Sequence, residues 1–141
     1  MENNHPAEII ELELAILMRR SISANTNGKV GNLDRSAYLL LHHISSFGMT
    51  GVKALADEFQ LDISTVSRQV TALEQKGYIH RIPDPHDGRA YSLQISENGT
   101  QELALTKQIR FEYVAQLLHD WTLEDQRNFG ALLEKFNRTF L

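Results

Sequence analysis

The 141-residue sequence contains no cysteine. This absence excludes disulfide frameworks, thiolate zinc sites, catalytic cysteines and thiol redox sensing. No apolar run approaches the roughly 20 residues that a membrane helix needs. The first residues, Met1 to His5, lack the basic and apolar segments of a signal peptide. We therefore expect a cytoplasmic protein with no membrane partner.

The chain also lacks an excess of positive charge. It has 14 Lys and Arg residues against 18 Asp and Glu residues, which gives a formal net charge of -4 at pH 7. Nucleic-acid-binding domains are usually basic, so this balance argues at first sight against a nucleic-acid partner. The local balance differs, because residues 63–81 hold three basic residues and a single acidic residue, Glu74. The net charge of the whole chain therefore does not exclude DNA.

Motifs of enzymes and metal sites are missing as well. The sequence has no Gly-x-Ser-x-Gly elbow, no phosphate-binding glycine loop and no paired carboxylates within an apolar run. Six histidines are present, but none has the spacing of a zinc protease or a zinc finger. We expect no enzyme activity, no metal site and no cofactor.

Hydrophobic periodicity predicts four helices, a β-hairpin and two further helices. A Gly- and Asn-rich loop is expected at Asn25 to Gly31. The hairpin follows the fourth helix, where apolar residues recur at every second position around a polar, proline-containing tip. The predicted helices are Ala7 to Ile22, a second ending at Gly48, a third capped by Thr50, a fourth from Asp62 to Lys76 with Gly77 at its C-terminal cap, a fifth over Glu97 to Trp121 capped by Ser96, and a sixth starting at Thr122.

The third and fourth helices are close enough in sequence to form a helix-turn-helix. Opposite its apolar stripe, the fourth helix carries short polar side chains around one cation, Arg68. Small residues permit close approach to DNA, hydroxyls contact phosphates or base edges, and arginine can bind guanine. The alternative for this segment alone is an ordinary solvated face. The hairpin that follows, with an arginine at its tip, adds a second DNA contact and favours a winged helix.

Four segments of the chain carry a family resemblance, namely Leu61 to Val70, Leu73 to Arg81, Asp84 to Ala90 and Leu93 to Gly99. They resemble the MarR (multiple antibiotic resistance regulator) family, and element order and length extend the resemblance over essentially the whole chain. It implies a mainly α fold, in which a winged helix-turn-helix with a two-stranded β wing is flanked by N- and C-terminal dimerisation helices.

The same resemblance implies a function. Members of the family are homodimeric transcriptional regulators, usually repressors, that bind a pseudo-palindromic operator in double-stranded DNA and often release it when a small molecule binds. We therefore expect one intertwined domain, made of a dimerisation helix and loop (residues 1–32), a winged helix-turn-helix (33–96) and two C-terminal dimerisation helices (97–141). A winged-helix protein-interaction module without a DNA role is the alternative function.

The expected DNA contacts lie on the fourth helix and the wing, with one on the third helix. They are Lys53, Ser64, Thr65, Ser67, Arg68, Gln69, Thr71 and Arg89. The residues expected to shape the wing are Asp84, His86, Asp87 and Gly88. The two aspartates are unsuited to DNA, so we expect them to hold the wing turn by Asx-type hydrogen bonds and to orient Arg89 by an ion pair.

The wing departs from the family pattern Asp-x-Arg-Asp-x-Arg, since His86 takes the place of the first arginine; Gly88 fills the fifth position, which the pattern leaves open. A cation at the tip is lost at neutral pH or becomes pH-dependent, because imidazole titrates near 6.5. We expect weaker DNA binding by this wing than is usual for the family.

A small-molecule site is expected on the second helix, which is apolar on two sides. Leu39, His42 and His43 are the candidates for lining a pocket for an effector, whose chemistry we expect to be phenolic or lipophilic. The alternative, and the more common case, is that the histidines are ordinary core residues.

Overall fold

A computed structural model describes residues 5–24, 29–30 and 33–140. Within these ranges the chain is mostly helical, and a two-stranded wing separates the fourth and fifth helices. The elements are α1 (Pro6–Ala24), β1 (Lys29–Val30), β2 (Leu33–Asp34), α2 (Arg35–Phe47), α3 (Val52–Phe59), α4 (Ile63–Gln75), β3 (Ile79–Pro83), β4 (Tyr91–Ile95), α5 (Glu97–Leu117) and α6 (Leu123–Arg138).

The chain divides into two compact units. Residues up to Thr106 form the first, and residues from Lys107 onward form the second. The first half of α5 therefore belongs to the same unit as the winged helix-turn-helix. None of the helices in the described ranges combines the length and apolar character needed to cross a membrane.

The core of the first unit decides which side of α4 is exposed. Val66, Val70 and Leu73 recur at the i, i+4, i+7 spacing of one helix face, and all three are buried. The opposite side of α4 is consequently left to solvent. The fully buried side chains with which these residues form the core include Leu33, Leu41, Leu55 and Leu93.

The end of α4 is set by a glycine, as the sequence predicts. Gly77 has φ +80°, a backbone conformation that glycine adopts without steric cost. Its N–H donates to the Glu74 carbonyl, and the N–H of Tyr78 donates to the Leu73 carbonyl, each at 3.0 Å. These two bonds form a Schellman motif directly after the C-cap residue, Lys76. The chain therefore turns sharply from α4 into the first wing strand.

Two other predicted helix ends are confirmed. Gly48 follows α2 with φ +74°, and its N–H donates to the Ile44 carbonyl. At the start of α6, the Thr122 hydroxyl oxygen accepts from the Asp125 N–H at 3.1 Å. The hairpin is confirmed as well, because β3 and β4 pair antiparallel from Ile79 opposite Ile95 onward. Local signals thus place these elements correctly.

The predicted N-cap of α3 is wrong by one residue. Gly51 is the N-cap, and it has no side chain to accept a hydrogen bond from the first turn. Thr50 is instead held by the wing, since its N–H donates to the Leu93 carbonyl at 3.3 Å and its carbonyl accepts from the Leu93 N–H at 2.7 Å. The backbone of Thr50, which the sequence predicts as the N-cap, thus pairs with that of Leu93, more than forty residues away.

The fifth helix ends at Leu117 instead of Trp121. The Leu118 and Trp121 carbonyls, which follow the end of α5, are satisfied from α6, because the side-chain amide of Gln126 donates to them at 3.3 and 3.2 Å. This arrangement lets the chain turn four residues earlier than the helical pattern suggests.

Two further boundaries differ from the sequence prediction. The first helix, expected over Ala7 to Ile22, runs from Pro6 to Ala24. The loop predicted from Asn25 to Gly31 contains a short strand at Lys29–Val30, which pairs with Leu33–Asp34. Residues 25–28 and 31 lie outside the described residues. Two-residue strands leave too little alternation in a sequence to be predicted.

The start of α5 is locked to the wing and to the end of α4. The Ser96 hydroxyl donates to the Gly77 carbonyl at 2.5 Å and accepts from the Gly99 N–H at 2.9 Å. The Ser96 N–H donates to the Tyr78 carbonyl at 2.9 Å. A Cβ added at Gly99 would overlap the Tyr78 carbonyl oxygen and lie 2.8 Å from Cγ1 of Ile95. Only glycine therefore permits this close approach.

Tyr78, beside this junction, is half-buried. Its burial, with a smaller effect of the Glu102 carboxylate, raises the pKa of its phenol above the ordinary value of 10.0. Folding therefore favours the protonated phenol. The resulting contribution to stability is present below pH 10 and is lost as the pH rises through the higher folded-state pKa.

We expect Gly99→Ala to destabilise the protein by about 1–3 kcal/mol, the usual cost of overpacking a buried site. The new methyl group meets backbone, which cannot move aside as a flexible side chain can. Urea titration followed by circular dichroism measures the change. Gly130→Ala is the matched control, because that helical glycine has open space around its Cβ position and alanine is the better helix former by about 1 kcal/mol. Equal stability of Gly99→Ala and wild type would disprove the close approach.

Candidate nucleic-acid interface

The exposed side of α4 forms a polar surface beside the wing. We define it as the recognition face, made of Ser64, Ser67, Arg68, Thr71 and Gln75. Four of these residues, all except Ser64, line an open groove of about 280 Å³ together with Ala72. Short side chains flank the single cation, as a helix needs in order to lie in a major groove.

Arg68 is the cation of the recognition face. It is exposed, and its guanidinium takes part in none of the ion pairs found among the described residues. Ser64 is exposed beside it in the first turns of α4, and Thr65 is half-buried. Lys53 is exposed in the first turn of α3. The structure therefore leaves the predicted cations Arg68 and Lys53 available to a polyanion.

Gln69 faces another direction. It lines a small concavity of about 80 Å³ together with Asp34 and Ala37, next to α2. Its Oε1 is buried and has no hydrogen-bond partner among the described residues. A buried amide oxygen without a partner is unusual. The DNA contact expected of Gln69 stays a prediction, and this placement at the flank of α4 does not favour it.

The hydroxyl group of Thr71 both donates and accepts a hydrogen bond within the protein. The hydroxyl donates to the Ser67 carbonyl at 2.9 Å and accepts from Nη2 of Arg81 at 3.3 Å. Nε of the same arginine lies 3.1 and 3.0 Å from the two carboxylate oxygens of Glu74. The guanidinium carbon also lies 4.6 Å from the centre of the Tyr91 ring. These contacts join α4 to both wing strands.

Sequence reasoning missed this network, although a signal for it exists. Alternation along β3 places Arg81 on the same side as Ile79, which is buried. The strand register also sets Arg81 opposite Leu93, another buried residue. A charged side chain at such a position needs a partner, and Glu74 in the last turn of α4 supplies it. The ion pair leaves Arg68 and Lys76 as the basic residues of 63–81 that lie outside it.

The wing turn is built on two aspartates. Oδ1 of Asp84 accepts from the His86 N–H at 2.8 Å, and Oδ1 of Asp87 accepts from the Arg89 N–H at 3.0 Å. The Asp84 N–H donates to the Ala90 carbonyl at 3.0 Å, and the Ala90 N–H donates to the Asp87 carbonyl at 3.1 Å. Both expected Asx-type hydrogen bonds are therefore present.

The expected ion pair of Arg89 with a wing aspartate is wrong. In the described part of the chain, the ion pairs are Arg81 with Glu74, His119 with Asp120 and Arg138 with Glu134. The wing carboxylates are engaged by backbone N–H groups instead. Arg89 and His86 are both exposed at the tip, and a Cβ at Gly88 would meet open space. Sterics therefore do not require glycine at that position.

The candidates for a small-molecule site lie among aromatic rings. His43 is half-buried, and its ring centroid lies 4.4 Å from that of Phe47 and 5.7 Å from that of Phe59. Leu39 and His42 are exposed. Neither of the two concavities on α4 includes these residues. In the ranges that the structure describes, no three His, Asp or Glu side chains come together in a way that could hold a metal ion.

A helix-turn-helix whose second helix exposes a polar face around one arginine, followed by a wing with a second exposed arginine, defines a winged-helix DNA-binding protein. Comparison with known proteins gives the family. The model of the MarR family matches residues 33–91. The chain is 44% identical over 142 residues to YxaD, an uncharacterised HTH-type transcriptional regulator of Bacillus subtilis, and the match covers 100% of this chain and 99% of that protein.

Solved structures share the fold. A crystal structure of MarR superposes with a TM-score of 0.76 at 22% identity, over 99% of this chain and 93% of that one. The regulator BldR from Sulfolobus solfataricus gives a TM-score of 0.74 at 24% identity, over 98% and 99% of the two chains. This chain belongs to the MarR family and is a DNA-binding transcriptional regulator. Its relatives are regulators and not enzymes.

Proposed function

We propose that the protein is a homodimeric, ligand-responsive repressor that binds a pseudo-palindromic operator. The α4 helices of the two subunits enter successive major grooves about 10 base pairs apart. Arg89 of each wing contacts the adjacent backbone or minor groove. The observation that carries this proposal is the pairing of a DNA-facing surface with large apolar faces that a single chain leaves uncovered.

The apolar faces support a dimer. On α1, five large apolar side chains are more than half exposed, namely Ile9, Ile10, Leu12, Leu17 and Met18. No residue of α6 is buried, and Leu132 is 63% exposed. Soluble monomers rarely expose apolar patches larger than a few hundred Å². A second copy can bury such faces over the roughly 1,200–2,000 Å² of a stable interface. This burial removes the free-energy cost of exposing the apolar side chains to water. We accordingly keep residues 1–32 and 97–141 as the dimerisation segments.

The DNA-facing surface supports an operator built from two half-sites. Each subunit supplies one Arg68 on the recognition face and one Arg89 on the wing. Arginine commonly reads guanine by two hydrogen bonds, and wing contacts to the backbone fix the register. Two-fold symmetry of the dimer then requires two related half-sites.

The effector is proposed to be phenolic or lipophilic and to weaken DNA binding. The family resemblance supports this part, with Leu39, His42 and His43 as the candidate lining residues. The two phenylalanine rings next to His43 suit an apolar, ring-containing ligand. We also propose that the protein acts in the cytoplasm, where its DNA partner lies. No cofactor is part of the proposal.

Selection of genomic fragments by the purified protein, with and without candidate phenolic and lipophilic ligands, tests the proposal. We expect enrichment of a pseudo-palindromic site, including one in the protein's own promoter region, and release of that site by an active ligand. Failure to enrich any sequence would rule out the regulator. DNA binding that depends little on salt would favour the alternative, a winged-helix protein-interaction module, because phosphate contacts release counterions.

We expect His86→Arg to strengthen DNA binding. The substitution restores a permanent cation at the exposed wing tip, so the slope of log affinity against log salt should steepen by about 0.9 for each additional phosphate that is neutralised. Fluorescence anisotropy over a salt series measures the slope. His119→Arg, which adds the same charge in the second unit, is the control. If His86→Arg and wild type share one slope, the wing tip does not reach a phosphate.

A further inference from the structure

Arg81 contacts three side chains on two other elements. Its Nε lies between the two carboxylate oxygens of Glu74 on α4, at 3.1 and 3.0 Å. Its Nη2 lies 3.3 Å from the Thr71 hydroxyl, one turn earlier on the same helix. Its guanidinium also lies 4.6 Å from the ring centre of Tyr91 on β4. One side chain on β3 thus connects the recognition helix to the whole wing.

The geometry uses properties that only arginine has. The guanidinium is planar and presents several donors in a fixed arrangement, so it can bind a carboxylate and a hydroxyl while its face rests on an aromatic ring. Lysine carries the same charge but has neither the planar face nor the fixed set of donors. The contacts therefore fix the distance and the angle between the wing and α4, in addition to attracting the two to each other.

The network spans the turn that separates the two DNA contacts. Glu74 and Arg81 lie on either side of the turn at Gly77, which joins α4 to β3. Two hydrogen bonds of the Schellman motif and the Ser96 hydroxyl hold this turn from the backbone. The Arg81 side chain adds contacts between α4 and the wing, and these lie farther from the turn, toward the wing tip.

The same contacts make Arg81 unsuited to binding phosphate directly. Its charge is compensated by Glu74, and its Nε and Nη2 groups already have protein acceptors. The Thr71 hydroxyl is likewise engaged, since it accepts from Arg81 and donates to the Ser67 carbonyl. Arg68 makes none of these contacts.

We propose that Arg81 and Glu74 are positioning residues that fix the wing against the recognition helix, so that Arg68 and Arg89 reach one operator half-site at a set spacing. The pair thereby determines how strongly the protein prefers its operator over other DNA. This inference rests on the proposed operator binding described above. It assigns a specificity role to two residues that need not touch DNA.

The two charges of the pair allow a sharp test, because a positioning role and an electrostatic role predict different patterns. Glu74→Gln removes a negative charge, and Arg81→Gln removes a positive one. If the residues act only through charge, Glu74→Gln strengthens all DNA binding and Arg81→Gln weakens it. If they position the wing, both substitutions weaken operator binding, by about tenfold, a loss comparable to that of one base contact.

The experiment compares affinity for the selected operator with affinity for a scrambled duplex, at one salt concentration. We expect both variants to lose operator affinity, whereas affinity for the scrambled duplex rises for Glu74→Gln and falls for Arg81→Gln. Arg81→Lys keeps the charge, so it should lose operator affinity with no change on the scrambled duplex. Glu134→Gln and Arg138→Gln, which break a comparable ion pair in α6, are the matched controls.

A second readout does not depend on DNA. ¹⁵N relaxation of the free protein reports order in the amides of β3 and β4, and we expect Glu74→Gln and Arg81→Lys to lower that order while unfolding midpoints stay near wild type. The pair is about one-third exposed, and exposed ion pairs contribute little to stability.

The outcomes separate this inference from the proposed function. Opposite shifts of operator affinity in the two charge variants, or unchanged wing order, would overturn the positioning role. Absence of any preferred sequence for the wild-type protein would overturn the proposed function. In that case the relaxation measurement still decides whether the pair fixes the wing.

Discussion

Arg68→Ala is expected to reduce operator affinity by about 2–6 kcal/mol, because a proposed dimer loses two arginine contacts worth roughly 1–3 kcal/mol each. Arg68 is the cation of the recognition face, and it makes none of the ion pairs found among the described residues. Its guanidinium can therefore bind a base edge without breaking an ion pair of this set. The substitution should also relax the sequence preference of each half-site.

Mobility-shift titrations with the operator and a scrambled duplex measure this effect. Arg127→Ala is the control, because it removes an arginine from α6 in the second unit. We expect Arg127→Ala to bind the operator as wild type does. A loss for Arg68→Ala that is equal on both duplexes would show that Arg68 contacts phosphate and does not read sequence. No loss on either duplex would remove α4 from the interface.

Leu132→Asp is expected to convert the protein to a monomer and thereby abolish operator binding. In a single chain this leucine is 63% exposed, so an aspartate there should cost the isolated fold little. In the proposed dimer, two-fold symmetry buries the new charge twice, and an unpaired buried charge is very costly. The Leu132→Asp substitution thus distinguishes a solvent-exposed surface from a dimer interface.

Sedimentation equilibrium gives the oligomeric state, and circular dichroism checks the fold. Ala131→Asp is the matched control, since it is the adjacent residue and lies about 100° around α6 from Leu132. We expect Ala131→Asp to remain dimeric. A dimeric Leu132→Asp protein would show that α6 does not form the interface through this residue.

Much of the fold follows from short-range signals in the sequence. Gly48 and Gly77 end their helices because the chain needs positive φ there, and the sequence predicts each as a stop. Ser96 and Thr122 begin theirs because a hydroxyl oxygen can accept a backbone N–H three residues on. The hairpin is predictable from alternation. These signals need no knowledge of distant residues.

The misplaced elements depend on hydrogen bonds to residues of other elements. The sequence predicts that Thr50 caps α3, yet its backbone pairs with Leu93. It predicts the end of α5 at Trp121, yet a glutamine of α6, Gln126, takes up carbonyls after Leu117. In both cases a hydrogen bond formed only in the folded chain overrides a local preference, so the local pattern could not contain it.

The candidate site is predictable as a set of positions and not as a network. The sequence singles out Arg68 and the wing arginine, and both are exposed. It does not predict the pairing of Arg81 with Glu74, and Arg89 lacks the expected ion pair with a wing aspartate. Alternation along β3 indicates that Arg81 needs a partner, but which residue supplies it depends on the angle between α4 and the wing, which composition and spacing do not give.

The net charge of the whole chain is likewise a poor guide to the candidate site. A net charge of -4 argues against DNA only because it averages the recognition face with the rest of the chain. Once Glu74 has neutralised Arg81, few cations remain near the proposed interface. We therefore expect modest affinity for random DNA and a specificity that depends on a few well-placed contacts.

Hydroxyl-radical footprinting on the selected operator, with the stoichiometry of the complex determined in parallel, tests the central claim most directly. We expect two chains per site and two protected patches related by two-fold symmetry, with centres about 10 base pairs apart. A single protected patch bound by one chain would contradict a dimer that places one α4 helix in each of two successive major grooves.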